Sequence, residues 1–282
     1  MEQLFALVDR DGVLRREQLV LPGVPELYQA FTRRGVHSVI LSNNARVTSD
    51  GITQWMREKC GVSDFSNEQA MTSAEAAAQY FHERIANTFR PFLIGESGLW
   101  EAFKRLDVPT CNHHWDGQQW KDDPPTHVVK GFKSDGISHK DEEAPGCNAL
   151  YEHGAALIMA NTDSTYRNAQ GTRCPANGIQ SRNFIDAAGG KYTDLGKPNI
   201  GMAEEALQRM GAEKKSARVV VIGDNLETDM VLAGNLRSEN WDAEGWLVLT
   251  GDTKSEQVSG SASKGMRIFS GLHDIVTHLL KS

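Results

Sequence analysis

Short apolar segments, each ending in a polar cluster, mark the beginning of the chain. Leu4-Phe-Ala-Leu-Val8 runs into Asp9-Arg-Asp-Gly12, and Val36-His-Ser-Val-Ile-Leu41 runs into Ser42-Asn43-Asn44. Segments of this length without helical spacing predict strands buried on both faces. Between them the spacing becomes helical. Leu27, Ala30 and Phe31 share a face, with Pro22 and Pro25 near the start and Gly35 as a closing C′ glycine. Ser49 or Asp50 can cap the next helix, which would carry Ile52, Trp55 and Met56 toward the core. The order β-α-β-α predicts a parallel sheet with crossover helices.

The same pattern returns late in the chain. A helical stretch at 202–210 precedes the strand Val219-Val-Val-Ile222, which ends in Gly223-Asp224. A helix at 228–233, a strand Trp246-Leu-Val-Leu-Thr250 and a helix at 273–280 follow. The middle, from about 80 to 188, carries its own strand candidates: Pro91-Phe-Leu-Ile94, Thr126-His-Val-Val-Lys-Gly-Phe132 and Ala155-Ala-Leu-Ile-Met-Ala160. It is expected to be an inserted α/β domain (80–188), leaving 1–79 and 189–282 as the main domain. His113-His-Trp-Asp-Gly-Gln-Gln-Trp120 is expected to be a surface hairpin, and 254–264, rich in Ser and Gly, a surface loop.

Composition narrows the functional classes. With 30 Lys+Arg against 37 Asp+Glu, the net charge is −7 over 282 residues, and no basic stripe appears, so no nucleic-acid partner is expected. No window approaches the roughly 18 apolar residues of a membrane span, so no membrane partner is expected. The first nine residues lack a basic n-region and turn acidic early, unlike a signal peptide. Four widely separated cysteines suggest reduced thiols and a cytoplasmic location.

In parallel α/β sheets, ligands bind beyond the carboxyl ends of the strands. Asp9 and Asp11 stand there after the first strand, Ser42 and Asn43 after the second, and Asp224 after the late one. Carboxylates converging with a hydroxyl suit a hard cation such as Mg²⁺, which keeps its own waters and pairs with substrate phosphate. Zinc is disfavoured, because no His/Cys cluster accompanies them. A phosphate would also need a cation, and Lys197 precedes Pro198, a residue suited to a helix first turn. Taken singly, each signal has a plainer meaning. Asp-Gly is turn chemistry, Ser-Asn a helix cap, and one Lys a solvated charge.

Together the four clusters resemble the haloacid dehalogenase superfamily of aspartate-nucleophile phosphotransferases. Asp9-Arg-Asp11-Gly-Val-Leu14 matches its first motif, Ile40-Leu-Ser42-Asn43-Asn44 its second, Gly196-Lys197-Pro198 its third, and Gly223-Asp224-Asn-Leu-Glu-Thr-Asp229 its fourth. Leu21-Pro-Gly23, Thr72-Ser-Ala74, Leu93-Ile-Gly-Glu96 and Ala160-Asn-Thr-Asp163 extend the resemblance to the NagD-like, p-nitrophenyl-phosphatase-type branch.

The resemblance implies a Rossmann-like parallel-sheet core with an inserted C2-type α/β cap. It implies a Mg²⁺-dependent phosphatase acting on a small phosphomonoester, of sugar phosphate or nucleotide class, through an aspartyl-phosphate. Asp9 would be the nucleophile. Asp11 would be acid and then base, with a pKa raised by its carboxylate neighbour. Ser42, Asn43, Asn44 and Lys197 would bind phosphate. Asp9, the Asp11 carbonyl and Asp224 would hold the metal, with Asn225 and Asp229 in support. Tyr166 and Arg167 could meet the leaving group, or form a solvated loop. Homodimerisation is left open.

Two residues depart from the branch. Arg10 fills a commonly apolar slot and, if the strand alternates, points away from Asp9 and Asp11. Arg15-Arg16 replace a common aromatic. Three other readings compete: a phosphotransferase or mutase on the same scaffold, a receiver-like module, and a catalytically silent binding protein. The receiver reading is disfavoured because Asp11 follows Asp9 by two and the insert would be superfluous.

Overall fold

A computed structural model describes residues 3–84, 88–121, 123–134, 139–258 and 265–281. The chain divides into two compact units. One comprises Met1–Ser42, Ser49–Met71 and Lys197–Ser282; the other comprises Asn43–Thr48 and Thr72–Gly196.

The first unit is built on a six-stranded sheet. Its spatial order is Met266–Phe269, Asp242–Val248, Ala217–Gly223, Gln3–Val8, His37–Ser42 and Ala70–Thr72. The pairings of Gln3–Val8 with both its neighbours are parallel, as are those joining the late strands. Phe5 to Val8 and Val219 to Ile222 are buried along their whole length, which is why both strands read as unbroken apolar runs. Helices cover the sheet. Val24–Arg34 buries Leu27, Tyr28 and Phe31, while Asp229–Ser238 buries Leu232, Ala233 and Leu236. Gly35 closes the first of these with φ 62°, as its position predicts.

The second unit has a four-stranded parallel sheet in the order Thr193–Asp194, Ala156–Met159, His127–Lys130, Pro91–Ile94. Alternation divides its residues between two small cores. Leu93, Val129 and Ile158 pack with Leu99 and Phe103 on one face; Phe92, Val128 and Leu157 pack with Leu150 and Phe184 on the other. Helix Ser73–Arg84 contributes Ala74, Ala77, Ala78 and Phe81 to the first core, so it counts with this unit, although 72–79 was expected in the main domain.

Some local expectations need correction. Trp55 is only partly buried, and the Arg15 guanidinium lies over its ring at 5.9 Å. Pro198 does not open a helix, because the helix starts at Gly201 and Lys197-Pro198 lies in a turn. The segment 113–120 is the surface hairpin expected, with residues 116–119 exposed between its two tryptophans. Trp115 bridges to Trp120, whose ring meets the Phe92 edge and whose Nε1 donates to Asn148. Of the expected loop 254–264, residues 259–264 lie outside the described residues.

Candidate active site

Strands Gln3–Val8 and Ala217–Gly223 are neighbours at the point where the chain order of the sheet reverses. Side chains at their carboxyl ends meet in the crevice such a switch creates. Asp9 leaves the first strand with its N–H still bonded to the Ile222 carbonyl (2.8 Å), and Asp224 leaves the second.

Glycines let the loops close on these acids. Gly12 has φ +92°, and a Cβ there would lie 2.3 Å from Asp224 Oδ2. A Cβ on Gly251 would lie 1.8 Å from the same oxygen, and one on Gly223 would lie 2.2 Å from Asp229. Asp224 is therefore enclosed by backbone, and its Oδ2 accepts the Asp252 N–H at 2.6 Å.

Lys197 is 4% exposed and donates to Asp9 Oδ1 (2.5 Å) and Asp229 Oδ1 (2.7 Å). Asp229 Oδ2 accepts the Asn225 N–H at 3.2 Å. One oxygen from each of Asp9, Asp224 and Asp229 lies within 4.8 Å of the others. Asp229, expected in support, lies within reach of the other two acids. With all three carboxylates ionised, their three negative charges against one ammonium would leave a charge of −2.

That imbalance appears in the ionisation of the acids. Burial raises Asp9 to about 7; Lys197 opposes the shift, while Asp229 and Asp11 add to it. Asp224 is pushed well above the usual carboxylate range by burial, then by Asp9 and Asp229. Burial works to lower Lys197, but Asp229 and Asp9 outweigh it and hold the ammonium above its ordinary value. Hard oxygen donors that, fully ionised, lack two positive charges fit a hard divalent cation.

Asp11 behaves otherwise. Arg10 is buried at 4% exposure and, contrary to the alternation argument, turns onto Asp11. Its Nε and Nη2 reach Asp11 Oδ2 at 3.1 and 3.0 Å, while Arg15 Nε reaches Oδ1 at 2.7 Å. The reason is that the strand ends at Val8. Beyond it the backbone turns, and the Leu14 and Arg15 N–H groups both donate to the Arg10 carbonyl. Crowding by protein pushes the Asp11 carboxyl up, but the charges of Arg10 and Arg15 and their hydrogen bonds prevail and hold it at about 2. The expected upward shift is therefore reversed, because two cations face Asp11 where one carboxylate was anticipated.

Ser42 ends its strand and is buried. Asn43 and Asn44 belong to the second unit. Asn43 Nδ2 donates to Asp163, and its carbonyl accepts Asn161 Nδ2 and Ser73 Oγ, both at 2.7 Å. Asn44 Oδ1 accepts the Arg46 N–H, an Asx turn. Behind Asn161 lies a group that sequence reasoning missed. Asn177 Nδ2 donates to the Asn161 and Lys130 carbonyls, and Asn177 Oδ1 accepts the fully buried Lys130 Nζ at 3.1 Å. The available signal was a lysine ending an apolar strand, Val128-Val129-Lys130. Tyr166 and Arg167 lie on a strand, Thr165–Arg167, paired with Arg173–Pro175, and not in a loop. Tyr166 packs edge-on against Phe132 at 4.9 Å, and Arg167 donates to the Gly171 carbonyl.

Family models match both ends of the chain: haloacid dehalogenase-like hydrolase over residues 6–109, and HAD-hydrolase-like over 194–275. A dihydroxyacetone phosphatase of Corynebacterium glutamicum is 30% identical over 79% of this chain and 74% of its own length. The chain is a haloacid dehalogenase-like hydrolase. The hydrolase is also 25% identical to mouse chronophin, over 96% of this chain and 87% of that one. Two solved structures share its fold. The p-nitrophenyl phosphatase from Archaeoglobus fulgidus has TM-score 0.80 at 20% identity, covering 99% of this chain and 100% of that one. NagD from E. coli K-12 has TM-score 0.76 at 21% identity, covering 96% and 97%. The fold class is thus a Rossmann-like core with an inserted α/β cap, as the motifs imply. Both matched segments carry the acidic cluster: Asp9 lies in the first, and Lys197, Asp224 and Asp229 in the second. Among the described residues, no helix of the hydrolase is long and apolar enough to cross a membrane.

Proposed function

We propose that this hydrolase is a Mg²⁺-dependent phosphatase of small organic phosphomonoesters, of the sugar phosphate or nucleotide class, working through an aspartyl-phosphate. The observation that carries this reading is the cluster of Asp9, Asp224 and Asp229 around a single buried ammonium, two charges short of neutrality when all three acids are ionised. Asp9, Asp224 and the Asp11 carbonyl are the proposed Mg²⁺ ligands, with Asn225 and Asp229 behind them. The ion, when bound, would offset the negative charge of the cluster and of the phosphoryl oxygens.

Asp9 is the proposed nucleophile. Lys197, bonded to its Oδ1, orients the carboxylate and balances charge on the transferring group. Ser42 and the Asn43-Asn44 backbone that follows it are the proposed phosphate-binding groups. As the bond from Asp9 to phosphorus forms, the bond to the leaving oxygen breaks, and Asp11 supplies the proton that oxygen needs. Asp11 then takes a proton from the water that hydrolyses the aspartyl-phosphate, returning Asp9 and releasing phosphate. Arg10 and Arg15 favour the ionised form of Asp11, which suits the second step directly; the first requires that it take up a proton beforehand. Tyr166 and Arg167 remain candidates for contact with the leaving group. Four free cysteines favour a reducing compartment such as the cytoplasm.

The test is phosphate release from a panel of phosphomonoesters, with Mg²⁺ or EDTA, for wild type and Asp9→Asn. Metal-dependent release that falls at least about 10⁴-fold in Asp9→Asn is expected. Release that persists in the variant would remove Asp9 from the nucleophile's role.

A further inference from the structure

The proposed reaction does not use the buried charge of Arg10. Arg10 is 4% exposed, and a buried guanidinium is unfavourable unless paired. Its partner is Asp11, which it grips at Oδ2 through two nitrogens, while Arg15 takes Oδ1 from the other side. The backbone makes this arrangement a closed turn. The Arg10 carbonyl accepts the N–H groups of Leu14 and Arg15, and the Gly12 N–H donates to the Arg15 carbonyl at 2.7 Å. Both carboxylate oxygens are thus tethered, which fixes the rotation of the carboxyl group. Oδ2 accepts both Arg10 N–H groups, whereas Oδ1 accepts the Arg15 N–H and keeps a second lone-pair direction for a proton.

We propose that Arg10 is a positioning residue for Asp11, and that through this fork it determines how well the enzyme handles poor leaving groups. The proposal rests on the reading of Asp11 as the leaving-group acid. In the first step the bond between phosphorus and the leaving oxygen breaks, the bond from Asp9 to phosphorus forms, and the Asp11 proton passes to the leaving oxygen. A basic leaving oxygen needs that proton at the right place. A weakly basic phenolate departs without it, so its ester is nearly indifferent to where Asp11 points. Arg10 itself touches no substrate in this account, since its guanidinium is spent on Asp11.

The test compares kcat/KM for phenyl phosphate and p-nitrophenyl phosphate, two esters of similar shape whose phenolates differ in basicity, with Mg²⁺ present. Arg10→Met is expected to raise the preference for p-nitrophenyl phosphate about tenfold, by slowing the phenyl ester selectively. Arg15→Met should raise it about threefold, because the two Arg10 bonds remain. Arg10→Lys should fall between wild type and Arg10→Met, since an ammonium restores charge but not the fork. In an Asp11→Asn background, Arg10→Met should leave the preference unchanged. A preference unaltered by Arg10→Met, whether activity is kept or lost equally on both esters, overturns the proposal and leaves Arg10 a structural ion pair. A lowered preference overturns it too, since loss of a cation beside Asp11 would then matter through charge and not through orientation. If Arg10→Met fails to fold, the same ratio in Arg15→Met and Arg10→Lys decides the matter. Wild-type protein releasing phosphate from neither aryl ester would overturn this proposal alone, whereas release from no ester of the phosphomonoester panel would defeat the phosphatase reading as well.

Discussion

Each of the two units buries a lysine close to a strand's carboxyl end, and the two have opposite fates. Lys197, in the first unit, bonds Asp9 and Asp229, and those carboxylates hold it charged above its ordinary pKa against the effect of burial. Lys130, in the second, donates to the Asn177 amide oxygen and the Gly131 carbonyl, and burial pushes it down to about 7, with Glu142 opposing and Lys133 assisting. Burial alone strips an ammonium of its proton; only carboxylates within reach keep it. The first unit therefore maintains fixed charge where phosphate chemistry is proposed. The second ties Lys130, Asn177, Asn161 and Asn43 into a hydrogen-bonded chain of amides and carbonyls.

The sharpest way to break this contrast is to remove each lysine. Lys197→Met should lower kcat/KM by about a hundred- to a thousandfold, and a loss under tenfold would make the two lysines equivalent in function. It should also cost about 3–5 kcal/mol in urea unfolding, because Asp9 and Asp229 lose a shared buried partner. Lys130→Met should keep kcat/KM within about threefold while costing about 1–3 kcal/mol, since Asn177 Oδ1 and the Gly131 carbonyl lose a donor.

Smaller effects follow from pH. Folded Lys130 releases its proton near 7, whereas the ordinary value is 10.5, so the unfolded chain holds the extra proton in between. Stability contributed by this group rises with pH across that window. Subtracting the Lys130→Met profile from wild type should expose the rise; parallel profiles would place Lys130 among charged groups after all. Asp9 has the opposite sign. Folded, it keeps its proton to about 7 against an ordinary 3.8, so metal-free stability falls as pH rises through that interval. Mg²⁺ should therefore raise Tm by about 3–6 °C at pH 8 and by less than half that at pH 5. Equal gains at both would detach metal binding from the acidic cluster.

Much of the first unit was legible because its strands are buried on both faces. An unbroken run such as Leu4 to Val8 leaves little doubt where a strand ends, and hence that Asp9 stands at its carboxyl end. Gly12 and Gly223 were legible too, although only coordinates reveal that a Cβ at either would strike Asp224 or Asp229. Short strands escaped notice. Met266–Phe269 and Thr165–Arg167 have four and three residues and no apolar run to announce them.

The sequence by itself determined the order of the elements, the positions of the acids at strand ends and the family, because these follow from local burial patterns and short motifs. Tertiary structure alone decided which charges meet. Arg10 lies beyond the last strand residue, where alternation no longer governs direction, and the turn back to Arg15 brings two cations onto Asp11. Lys130 finds Asn177 across 47 residues, and Lys197 finds Asp9 across 188. Coulomb and desolvation energies depend on distance and burial in space, and neither is a property of a residue's neighbours along the chain.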